Sequence, residues 1–97
     1  MLKDETDKAI SLDVIPMIAP THRLQWEETQ DCYVILYPEG MVKLNPSSAE
    51  ILQQCDGKKD IKQIIKDLQN KFSEADLEKD ILNFMEVAHG NGWIRTK

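Results

Sequence analysis

The sequence has no apolar run approaching the roughly 20 residues that a membrane-spanning helix needs. Basic residues are scarce relative to acidic ones: 12 Lys and Arg stand against 17 Asp and Glu, for a net charge of −5. That balance argues against a protein that grips nucleic acid, because such affinity comes from Lys and Arg displacing counterions from phosphates. The two cysteines, Cys32 and Cys55, are far apart and form no CxxC pair, so free thiols in a reducing compartment are expected rather than a disulfide. The two histidines, His22 and His89, have no second histidine at ligand spacing, and no metal site is expected. A Gly-rich phosphate loop, a nucleophile elbow and a Cys–His pairing are all missing, so the expectation is no catalytic residue, no cofactor and no enzyme. The opening residues "MLKDETDKAISLD" lack the apolar centre of a secretory signal. A cytoplasmic, membrane-free location is therefore expected.

What is present is enough for one modest domain. Hydrophobic residues make up 41% and charged residues 30% of 97 positions, an ordinary globular balance. Residues 1–15 show no clean period and are expected to form a flexible N-terminal arm, although Ile10, Leu12, Val14 and Ile15 have the character to dock on a core. Pro16 and Pro20 bracket "PMIAP" as an extended entry into a domain spanning 16–97.

In "HRLQWE", Leu24 and Trp26 share one face while Arg23, Gln25 and Glu27 share the other, the period-2 pattern of a half-buried strand. "CYVILY" is apolar on both faces and suits the centre of a sheet. Pro38-Glu39-Gly40 then makes a turn, with Gly40 expected to supply a positive φ and a bulge, and Met41–Leu44 forms the third strand of a simple antiparallel meander. Val42 and Leu44 are expected to face the core, and Met41 and Lys43 the other way.

Helices follow. Asn45 and Pro46 offer a helix start, with Ser47 and Glu50 as an alternative capping box. Ile51, Leu52 and Cys55 form that helix's buried side, and Gly57 is expected to end it. Asp60 opens a second helix whose apolar stripe is Ile61, Ile64, Ile65, Leu68 and Phe72. A third helix is expected to open near Ser73, with a stripe of Leu77, Ile81, Phe84, Met85 and Ala88, and to stop at Gly90-Asn91-Gly92. Trp93 and Ile94 would anchor the tail. The expected class is α+β: a three-stranded antiparallel sheet followed by a three-helix bundle, winged helix-turn-helix-like.

That architecture raises DNA binding as an alternative, a small winged-helix regulatory or DNA-associated protein. The third helix, however, carries Glu74, Asp76, Glu78, Asp80 and Glu86 against Lys79, and phosphates would repel it. Lys58, Lys59, Lys62, Lys66 and Lys71 gather around the second helix, where a solvated face is the simpler expectation. The third strand is last in the meander, so one side of it should lack a strand partner. Leu82 and Val87 widen the third helix's apolar sector, either as additional core or as one wall of a groove beside that strand. Such a groove can take up a peptide as an added strand. The same edge can pair with its own copy, which leaves a homodimer open.

"HRLQWEE", "LYPEGMVKLN", "AEILQQCDG" and "GNGWI" occur in an order and spacing that resembles the PqqD family of pyrroloquinoline quinone biosynthesis proteins, over Pro16 to Ile94. Ser48 departs from the Ala often found there, and residues 1–15 match no family pattern. The resemblance implies a non-catalytic recognition domain for a ribosomally made precursor peptide. It implies binding of the peptide PqqA and its presentation to PqqE, a radical S-adenosylmethionine enzyme that cross-links a Glu and a Tyr. It further implies a leader lying as an antiparallel strand beside the third strand, near the third helix. Carried onto this sequence, the peptide-binding residues would be Met41, Val42, Lys43 and Leu44, with Leu77, Ile81, Leu82 and Met85 from the helix. Arg23, Trp26, Gly40, Asn45, Asp56 and Gly57 are assigned to the fold.

Overall fold

The computed structural model describes residues 10–74 and 76–96. Along the chain lie β1 (Pro16–Ile18), β2 (Arg23–Glu27), β3 (Cys32–Tyr37), β4 (Gly40–Lys43), α1 (Pro46–Gln53), α2 (Ile61–Phe72), α3 (Glu78–Gly90) and β5 (Ile94–Thr96). The expected meander is present as an antiparallel sheet in the order β2-β3-β4. Its register places Leu24, Ile35 and Val42 side by side on the face toward the helices. Ile35 is fully buried there and Leu44 nearly so. No helix among the described residues is long and apolar enough to cross a membrane.

The α2 stripe shows what drives the packing. Ile61, Ile64, Ile65 and Leu68 are all buried. Three isoleucines in one helix cost at most about 2 kcal/mol in intrinsic propensity. Burying each contributes about 1.5–3 kcal/mol, so burial outweighs propensity and the helix forms on the core. Its N-terminus is fully partnered: the Asp60 carboxylate accepts from Gln63 N–H at 2.8 Å. Ile61 N–H donates to the Val14 carbonyl at 3.0 Å and Lys62 N–H to the Leu12 carbonyl at 3.1 Å. These bonds satisfy donors that a helix start cannot satisfy itself. Thus Ile10, Leu12 and Val14, taken from the segment expected to be an arm, pack half-buried against the core. Residues 1–9 of that segment lie outside the described residues.

Several boundaries differ from expectation. The Pro38–Glu39 loop closes Tyr37 directly onto Gly40, with no bulge. The positive-φ glycines are Gly57 and Gly92, so Gly40 does not supply a left-handed turn residue. A Cβ at Gly40 would lie 3.6 Å from the Tyr37 hydroxyl, which places the glycine beneath that ring. α1 starts at the Asn45 cap, whose side chain accepts from Ser48 N–H at 2.8 Å, but it ends at Gln53. Gly57, at φ 78°, instead turns the chain so that its N–H reaches the Pro16 carbonyl at 3.0 Å. Ser73 does not open α3: it caps the C-terminus of α2 in the left-handed region, and Glu74 N–H donates to the Gln69 carbonyl at 3.0 Å. α3 begins five residues further on, with Glu78 and Asp80 in its first turn offsetting the helix dipole.

A second sheet was not anticipated. β1 pairs antiparallel with β5 in the register Pro16↔Thr96, Met17↔Arg95, Ile18↔Ile94, and Met17 also bridges to Asp56. The turn at Gly92 (φ 79°) makes this possible. Trp93 N–H returns to the Ala88 carbonyl at 2.9 Å, and the chain leaves α3 toward β1.

Candidate functional site

β4 pairs with β3 on one side only, and among the described residues no strand lies along its other edge. The ladder's phase determines which groups that edge presents. Leu44 N–H donates to the Tyr33 carbonyl at 3.0 Å, so Leu44, Val42 and Gly40 direct their backbone groups toward β3. Antiparallel pairing alternates, so Met41 and Lys43 turn theirs outward. Both side chains are exposed, Met41 at 43%.

Two concavities join this part of the chain to the two ends of α3. At one end His22, Tyr37 and Val42 face Asn91 and Trp93. His22 and Tyr37 stack there with ring centroids 5.8 Å apart. At the other end lies a groove of about 520 Å³, where the start of α1 (Pro46, Ser47, Glu50, Ile51) meets the end of α2 (Leu68, Phe72) and the start of α3 (Leu77, Asp80, Ile81).

At about 100° per residue, Leu77, Asp80, Phe84, Val87 and Asn91 share one flank of α3. That flank meets both concavities: Asn91 lines the one at His22 and Tyr37, Leu77 and Asp80 line the groove of about 520 Å³, and Phe84 packs on Trp93 with centroids 6.4 Å apart. Val87 on this flank is 55% exposed. Leu82 lies roughly half a turn away and is half-buried against the core. Of the helix residues singled out from sequence, Leu77 and Ile81 therefore border the groove, while Met85 is wholly buried. On β4, Val42 is half-buried toward the helices and Leu44 is core. Phe84 and the Phe72 wall were not picked as site residues, and Val87 was named beside Leu82 as core or groove wall without being assigned to the peptide-binding set. Phe72 belongs to the α2 stripe by spacing, yet it is 48% exposed because Ser73 ends the helix before a neighbour can cover it. The helical period of Leu77, Phe84 and Val87 was the available signal, but only contacts reveal which flank meets the sheet.

The titratable groups with displaced pKa values stand apart from this edge. Lys58 N–H donates to the Asp56 carboxylate at 2.9 Å, which lowers its pKa below the ordinary 3.8. Asp67 is lowered chiefly by the Gln63 side chain at 2.8 Å and then by Lys59. With folded values depressed, any stability these two contribute is present above that ordinary carboxylate value and is lost as pH falls through the folded one. Burial pushes the Cys55 thiol up to about 12, with Asp56 adding to the effect. Both cysteines are free, Cys32 half-buried and Cys55 buried. A thiol reagent at pH 8 should therefore titrate one cysteine, Cys32, in the folded chain and two in denaturant. Rapid labelling of Cys55 in the folded state would contradict its placement, since the thiolate is the reactive form. Among the described residues no group of three or more side chains could hold a metal ion.

Comparison with known proteins bears on this edge. The family model "Coenzyme PQQ synthesis protein D (PqqD)" matches residues 32–94. A Pseudomonas aeruginosa protein named PqqA binding protein is 51% identical over 87% of this chain and 92% of its own length. A Methylococcus capsulatus protein of the same name is 45% identical over 86% of this chain and 89% of its own. Among solved structures, the solution structure of the PqqD part of Methylobacterium extorquens PqqCD superposes with a TM-score of 0.74. It is 27% identical, covers 91% of this chain and 96% of that one, and is described as a functional, stand-alone recognition element for ribosomally synthesised, post-translationally modified peptides.

Proposed function

This chain belongs to the coenzyme PQQ synthesis protein D (PqqD) family, and from that membership we propose that it binds the precursor peptide PqqA and presents it to the enzyme PqqE. The role is recognition, with the chemistry left to the partner. The observation that carries this reading is the unpaired outer edge of β4, with the backbone groups of Met41 and Lys43 facing away from β3, and with concavities joining Val42 and Pro46 to the two ends of α3. A peptide added there as a strand gains main-chain hydrogen bonds from β4 and side-chain contacts from α3. Leu77, Phe84 and Val87 serve as the contacting wall, while Leu44, Ile81 and Met85 support it from the core and Leu82 packs on the far flank.

Calorimetric titration with synthetic PqqA should give one-to-one binding in the micromolar range, about −8 kcal/mol. No binding, with PqqE absent or present, would overturn the assignment. Val87 offers a sharper test, because an exposed position can be changed within about ±0.5 kcal/mol of stability. Val87→Asp is expected to weaken PqqA binding roughly tenfold, about 1.4 kcal/mol, with an unchanged melting temperature. Unchanged affinity would remove this flank of α3 from the interface.

A further inference from the structure

We propose that the groove between α1, α2 and α3 is an anchor pocket that takes an apolar side chain of the bound peptide with a Lys or Arg beside it. The inference rests on the peptide-binding reading and assigns a chemistry to one end of that site. The groove's floor is apolar, formed by Ile51, Leu68, Leu77 and Ile81, and Phe72 stands as a wall with 48% of its surface exposed. Lys71 Nζ stands 5.6 Å from the centroid of this ring, and the surface that remains open beside a cavity of about 520 Å³ is surface that a ligand side chain would cover.

The charged residues that line the groove are all acidic, with Lys71 just outside them, 2.8 Å from Glu50 and 5.6 Å from the Phe72 ring centroid. Glu50, Glu74 and Asp80 border the groove, and none of its lining residues is basic. Glu50 is already held by Lys71 at 2.8 Å, so Glu74 and Asp80 are the carboxylates assigned to the incoming cation. An apolar floor under an acidic rim is complementary to an apolar residue flanked by Lys or Arg, and it disfavours an acidic neighbour.

The groove's position makes it part of the same track. Pro46 and Ser47 lie just beyond Leu44 and Asn45 after the end of β4, so a strand lying along Lys43 and continuing past it would reach the groove within about three to four residues, at roughly 3.3 Å each.

The test is titration of synthetic PqqA into the full chain and three variants, at low and at physiological salt. Phe72→Ala and the double variant Glu74→Gln/Asp80→Asn are each expected to weaken binding at least fivefold. The double variant should also lose most of the wild type's salt dependence. Asp13→Asn removes an exposed carboxylate beside the other end of α2, about 18 Å away along a helix rising roughly 1.5 Å per residue, and should change affinity less than twofold. Circular dichroism melts confirm that each variant is folded. Wild-type affinity in both Phe72→Ala and the double variant would overturn the pocket while leaving peptide binding at β4 standing. Equal weakening by Asp13→Asn would reduce the effect to net charge and also overturn it. Failure of the wild type to bind PqqA would remove the underlying reading, and the pocket with it.

Discussion

Lys43→Pro is expected to lower PqqA affinity at least tenfold, about 1.4 kcal/mol, while the domain stays folded. Proline removes the backbone donor and brings its ring to the edge where the peptide would lie. At Lys43 that donor faces away from β3, because the neighbouring Leu44 N–H is the one bonded to Tyr33. Proline is tolerated on such an edge for the same reason. Val42→Pro is the contrasting variant. Val42 sits opposite Ile35 in the phase of the ladder that bonds inward, so its loss breaks the sheet itself. Leaving a buried Ile35 carbonyl without its donor costs about 1–3 kcal/mol. At about 4–8 °C per kcal/mol, the melting temperature should fall by roughly 5–20 °C. The pair separates recognition from folding within two adjacent residues. Wild-type PqqA affinity in folded Lys43→Pro would contradict strand addition at β4.

Met85→Ala is expected to be the most destabilising of the substitutions considered. Met85 has no exposed surface and lies in the cluster that joins α3 to Ile35, Leu52, Ile64 and Ile94. Truncating a fully buried methionine removes apolar contact and leaves a cavity, together costing about 2–5 kcal/mol. That is a large share of the roughly 5–15 kcal/mol that holds an ordinary domain together. A fall of roughly 10–30 °C in melting temperature should follow. Val87→Asp, two residues later on the same helix, is the internal comparison and should not shift the melt. A drop of less than 5 °C for Met85→Ala would show that the core around α3 collapses to fill the gap. These two positions also show why apolar character alone does not identify a binding residue: both are apolar, yet one is buried and the other is 55% exposed.

Much of the framework was legible because it is written in local periods. Alternation in "HRLQWE" and the doubly apolar "CYVILY" placed two neighbouring strands, and Asn45 and Asp60 marked helix starts that their side chains do cap. The α2 stripe was read correctly through Leu68 and failed at Phe72, where the left-handed Ser73 turns the chain away. Trp26 shares its strand face with Leu24 as expected, but it is 46% exposed and packs edge-on against Tyr33. Pattern shows which face an apolar residue occupies, not whether another element extends far enough to cover it.

The sequence by itself determined the α+β class, the meander, the helical cores and, through its motifs, the family. Each depends on residues within a few positions of one another, where sterics, capping and burial act on short stretches of chain. Tertiary structure decided the rest. The pairing of Pro16 with Thr96, the concavity that brings Val42 to Asn91 and Trp93, and the groove where three helix ends converge all join residues distant along the chain. Three-residue strands carry too little pattern to name their partner, and a helix has one apolar period whichever neighbour it meets. Only packing the whole core orients that period and decides what lies near the unpaired edge of β4.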